Sequence, residues 1–130
     1  MPTKNLLAHK HFWLTLAIVW TLVIAVLCLV SFKKLPTVKL TGADKYVHAV
    51  FHLVFTGLWF LYLRFQNGRA LAKAFFASVA YGILIEIMQG LFTQTRKADL
   101  KDVLANITGA LLAVMVILAY EKLRKRKAYN

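Results

Sequence analysis

The sequence is poor in acid, in cysteine and in proline, with 5 Asp+Glu, 1 Cys and 2 Pro among 130 residues. The single cysteine, Cys28, excludes an intramolecular disulfide and argues against a zinc finger. It lies inside an apolar run and reads as a small buried apolar residue. No glycine-rich loop suited to cradling a phosphate is present, and no Ser or Cys reads as an activated nucleophile. Charge as a whole is scarce. Charged residues make up 17% of the chain and hydrophobic ones 60%, whereas soluble domains are about a quarter charged. A soluble domain this small has too much surface to hide so much apolar side chain, and the same composition excludes disorder.

What charge there is has one sign. The 17 Lys+Arg give a formal net charge of +12. The cations form short clusters between long apolar runs, not a patch on a water-soluble surface. That pattern marks the ends of membrane spans and argues against nucleic acid as a partner. Four apolar stretches fit helices over 12–32, 46–65, 74–92 and 103–120. Each is about 18–21 residues, roughly 27–31 Å long, the thickness of a bilayer core. None alternates as a barrel strand does. The first lacks a small-x-small cleavage site and is expected to stay in the protein.

The expected fold is therefore an all-α membrane protein, one domain over 1–130. Its four transmembrane helices form an antiparallel up-down bundle, because the links at 33–45, 64–73 and 93–102 are short. Pro36 and Gly42 mark the first link and Gln66-Asn67-Gly68-Arg69 the second. Residues 121–130 are read as a basic tail, with cations from Lys122 to Lys127. Lys4, Lys10, Arg64, Arg69, Lys73 and the tail fall on one side. Lys33, Lys34, Lys39, Lys45, Arg96, Lys97 and Lys101 fall on the other. The first set is the larger, which places both termini in the cytoplasm.

Alternating helices bring the unusual polar residues to one membrane face, the outer one on this orientation. Asp44, Lys45 and His48 open the second helix. Glu86 and Gln89 lie near the end of the third. Arg96, Asp99 and Asp102 occupy the last link, and Asn106 lies one turn into the fourth helix. Asp44, His48 and His52 are four apart and stack on one face. Asp99, Asp102, Asn106 and Gly109 share a face if the fourth helix starts early, and Asp102 alone reads as its N-cap. Gly82 and Gly109 let neighbouring helices approach closely. Glu86 lies roughly 10 Å inside the helix end. An ionised carboxylate there is expensive and calls for a partner among His48, Arg96 and Lys45, or for a proton.

Glu86, His48, Asp99 and Asp102 are the candidate catalytic residues for acid–base work. Asp44, Lys45, Gln89, Arg96 and Asn106 are candidate binding residues, with Lys45 and Arg96 suited to a phosphate or carboxylate. His48 and His52 have the spacing of a metal pair, but no metal or other cofactor is assigned. Interhelical hydrogen bonding alone is the competing reading of the whole set, and whether the site is catalytic stays open.

Three segments carry a family resemblance. They are Asp44-Lys45-Tyr46-Val47-His48, Glu86-Ile87-Met88-Gln89, and the run from Arg96 through Asp99, Asp102 and Asn106 to Gly109-Ala110. In this order the chain resembles the VanZ-like family of small bacterial membrane proteins from about Leu40 to Ala113. It departs from the family's habit at Ala49 and His52, where aromatics are usual, and at Ala113, the nearest counterpart of a glycine. The family's namesake is associated with resistance to the glycopeptide teicoplanin. The resemblance implies a multi-pass protein of the bacterial cytoplasmic membrane. It would act on or bind an anionic lipid-linked or cell-envelope molecule. The expected partners are membrane lipids and that molecule, with self-association left open. The alternative is a scaffold or accessory subunit.

Overall fold

The computed structural model describes residues 2–30, 42–66, 68–93 and 97–128, and of residues 2–8 the backbone only. The linker read at 33–41, Asn67 of the second turn and the candidate Arg96 lie outside the described residues. Four helices follow one another: α1 (Pro2–Leu29), α2 (Ala43–Leu63), α3 (Ala70–Phe92) and α4 (Leu100–Ala128). All four are long and apolar enough to cross a membrane. No strand occurs among the described residues.

The helix ends differ from the sequence reading in ways that have causes. α1 starts at Pro2, whose fixed φ suits a first helical turn. α2 starts after Gly42 at φ 90°, a left-handed conformation that costs glycine little. α4 starts at Leu100 and runs unbroken to Ala128. Residues 121–128, read as part of a basic tail, are thus the last two turns of this helix. No Gly or Pro interrupts them, and Lys125, Arg126 and Lys127 in the last turn suit the negative end of the helix dipole.

Side-chain contacts fix the topology. His48 and His52 of α2 meet Glu86 and Ser78 of α3, in opposite chain order. Gly82 and Gly90 of α3 lie against Asn106 and Ala98 in the same reversed sense. Lys45, His48 and Ala49 of α2 meet Asp102, Asn106 and Gly109 of α4 in the same order. Sequence neighbours are therefore antiparallel, and α2 runs parallel to α4. α1 packs on α2 and α3 but not on α4. The indole of Trp20 donates to the Phe51 carbonyl at 3.0 Å, and the Tyr81 hydroxyl to that of Thr21 at 2.6 Å.

The packing is inside-out. Large apolar residues such as Leu22, Val50, Phe76, Leu91 and Met115 are exposed, as lipid contact requires. The buried apolar residues are mostly alanines, joined by a cluster of Ile24, Cys28, Phe55 and Ile85. The buried polar residues are His48, His52, Thr56, Ser78, Glu86, Gln89, Asp102 and Asn106. Small residues at the crossings let the helices close. A Cβ on Gly109 would lie 1.9 Å from the Ala49 carbonyl oxygen, so only glycine permits this approach of α4 to α2.

Candidate functional site

The polar residues form two layers at the end of the bundle where α2 and α4 begin and α3 ends. The outer layer is built on Lys45. Its Nζ donates to Asp44 Oδ2 at 3.1 Å, to Asp99 Oδ2 at 2.8 Å and to Asp102 Oδ1. Lys45 faces inward where the sequence pattern had pointed to Asp44. The Asp44 side chain is 59% exposed on the cavity lining, while Lys45, with His48 and His52 at i+3 and i+7, turns its ammonium inward to Asp99 and Asp102. Asp99 rather than Asp102 caps α4. Its carbonyl accepts from the Asp102 amide at 2.9 Å and its Oδ1 from the Lys101 amide at 2.9 Å. Asp102, one turn in, is thereby released to face the interior. The Lys45 ammonium, and then the Lys101 amide, hold the Asp99 carboxyl below its ordinary range.

Beneath this layer His48 lies between two carboxylates. Its Nδ1 is 3.8 Å from Glu86 Oε1, and its Nε2 is 3.7 Å from Asp102 Oδ2. Asn106 Oδ1 is 3.1 Å from Nδ1 and accepts from it when that nitrogen carries the proton, which leaves Nε2 with its lone pair. Glu86 is 3% exposed. Its Oε2 accepts from the Asp99 amide at 3.2 Å, while its Oε1, like Asn106 Nδ2, is buried with no hydrogen-bond partner among the described residues. Of the three partners expected for Glu86, His48 is the one beside it. Lys45 is committed to the aspartates, and Arg96 lies outside the described residues. One ligand atom each from His48, Glu86 and Asp102 lies within 4.8 Å of the others. A cavity of about 290 Å³ opens above them, lined by Asp44, His48, Gln89, Lys97, Asp99 and Asp102.

The second layer is closed. His52 Nδ1 pairs with Ser78 Oγ at 2.9 Å, and the Thr56 hydroxyl donates to the His52 carbonyl at 2.8 Å. Gln89, back on the cavity lining, donates its Nε2 to the Cys28 carbonyl at 2.9 Å and ties α3 to α1. His52 therefore engages Ser78, and the described metal-capable group replaces it with Glu86 and Asp102. Sequence reasoning passed over Ser78. It lies at i−4 from Gly82 and i−8 from Glu86, on the same face, and that spacing was the available signal.

Compared with protein-family models, the chain matches VanZ/LLP1 over residues 7–121. The chain belongs to the VanZ/LLP1 family. Among curated proteins and solved structures, none matches it significantly. This VanZ/LLP1 chain is a membrane protein of four apolar helices. The match takes in all the candidate residues named above.

Proposed function

We propose that this protein holds both termini in the cytoplasm and presents its polar cavity at the outer face of the bacterial cytoplasmic membrane. There it binds or acts on an anionic, lipid-linked molecule of the cell envelope. The observation that carries the reading is the contrast between the two polar layers. His52 and Ser78, in the closed layer, are each other's partners, as interhelical glue requires. Glu86 Oε1, beside the cavity-lining His48, has none among the described residues. A buried carboxylate oxygen left unmatched costs stability, and a ligand that supplies its donor recovers that cost. The cavity suits a headgroup and not a whole lipid. Lys97 on its lining and the neighbouring Lys101 meet the anionic part, because Lys45 is already held by three aspartates. His48, set between Glu86 and Asp102, contributes its imidazole to the same floor.

The closed layer supports a second reading, in which the polar residues only fix helix packing in a scaffold. Glu86→Gln and Asp99→Asn separate the two. Both are near-isosteric, and Asn caps a helix as well as Asp does. We expect melting in detergent close to wild type. Co-purified lipid-linked material, read by mass spectrometry, and any protection of cells against teicoplanin should be lost. Loss of folding with no separable functional loss would leave the scaffold reading standing.

A further inference from the structure

Four carboxylates crowd the site end of the bundle, and one Lys45 ammonium serves three of them. The fourth, Glu86, lies deepest, with one oxygen unpartnered in the buried interior. At the floor of this cavity an anionic ligand meets the buried carboxylates of Glu86 and Asp102, while the Lys45 ammonium is already shared by three aspartates. The proposed substrate and the floor of its site therefore conflict electrostatically unless a further cation is present. We infer that His48, Glu86 and Asp102 form a site for a divalent transition-metal ion of the zinc class. This deepens the reading above and rests on the same cavity, while metal binding itself needs no substrate.

The donor set suits such an ion: one imidazole and two carboxylates, with the cavity left as an open coordination position. The ligand atoms lie within 4.8 Å of one another, wider than the edge of about 3.3 Å implied by tetrahedral bonds of 2.0–2.1 Å. Rotation about the Glu86 and Asp102 side-chain bonds draws them in without moving a helix. Asn106 Oδ1 beside His48 Nδ1 supplies the outer partner that metal-binding histidines commonly have and leaves Nε2, which faces Asp102 Oδ2, for the ion, so that Glu86 Oε1, now 3.8 Å from Nδ1, is the ligand that must swing toward it. Lys45 on Asp102 Oδ1 leaves the other oxygen of that carboxylate toward His48. An ion held there neutralises the floor and offers its open position to a phosphate or carboxylate oxygen.

The full chain in detergent micelles, stripped with chelator and then titrated with Zn²⁺, tests this. We expect one equivalent bound per chain and a melting temperature that rises with Zn²⁺ concentration. His48→Gln, Glu86→Gln and Asp102→Asn should each weaken binding at least tenfold. The surface double variant His9→Asn/His11→Asn should bind as wild type does. Binding lost in that surface variant, or kept in all three site variants, overturns the inference. If the site variants do not fold, wild type decides: no rise in melting temperature with Zn²⁺ overturns it. A wild-type protein that binds no zinc, but whose Glu86→Gln variant loses the lipid-linked ligand, refutes the metal and leaves the proposed function intact. Zinc binding with no such functional loss does the reverse.

Discussion

Replacing Gly109 with alanine should break the molecule at the crossing on which the site depends. The new Cβ would lie 1.9 Å from the Ala49 carbonyl oxygen and 2.7 Å from its carbonyl carbon. Both are backbone atoms, so no rotamer change relieves the clash. To reach ordinary contact, α2 and α4 must part by about 1.5 Å. Overpacking of this kind costs about 1–3 kcal/mol or more. Alanine's better helix propensity returns about 1 kcal/mol at most. The net effect is destabilisation, and it propagates upward. His48 and Asn106 lie on the same two helices, next to Ala49 and one turn from Gly109, so parting the helices pulls their 3.1 Å contact open. Two other glycines calibrate the effect. A Cβ on Gly57 meets nothing within 4 Å, and one on Gly82 meets side-chain atoms of Asn106 and His52 at 2.9–3.1 Å. Thermal melting in detergent should therefore rank Gly57→Ala at or above wild type, Gly82→Ala below it, and Gly109→Ala lowest, with zinc affinity falling in the last. A Gly109→Ala variant that melts with wild type would refute the close crossing.

Gln89→Leu should lose about 1 kcal/mol with the bond to the Cys28 carbonyl, lowering the melting temperature while zinc binding persists. Ser78→Ala should behave likewise, since its partner His52 belongs to the closed layer. Acid should unclamp the top of the site. The Asp99 carboxyl is held below its ordinary range, so its contribution is present above the unfolded pKa of about 3.9. It is lost as pH falls through the lower folded value. A melting-temperature profile from pH 6 to pH 2 should drop at that acid end in wild type and less so in Asp99→Asn.

The four spans were legible because bilayer thickness sets helix length and lipid tolerates few charges. The convergence of polar residues was legible because alternating helices permit only two ends. Finer placement depended on where each helix starts. Shifting the start of α4 from Val103 to Leu100 moves the cap from Asp102 to Asp99 and turns Asp102 inward. The same sensitivity separates Asp44 from Lys45. One residue is a 100° turn on a helix, and the choice is made by the facing aspartates of another element, which no local pattern encodes. The Gln89 bond to a backbone carbonyl of α1 is equally invisible to spacing, since carbonyls carry no side-chain signature.

The charge asymmetry takes on a physical meaning once the layers are placed. Asp44, Glu86, Asp99 and Asp102 stand at one end and Glu121 at the other. At the Glu121 end, Lys122, Arg124, Lys125, Arg126 and Lys127 stand on exposed helix turns, where surplus positive charge is inexpensive. At the site end, Glu86 and Asp102 are buried, where surplus negative charge is costly. Packing alone would favour replacing such acids with apolar residues of similar volume, since a buried ionic network seldom stabilises relative to that alternative. The closed layer shows how this bundle satisfies polar groups when only packing is at stake: His52 and Ser78 are each other's partners. Glu86 breaks that pattern beside His48, which lines the open cavity, and this is the physical reason to look there for a bound cation.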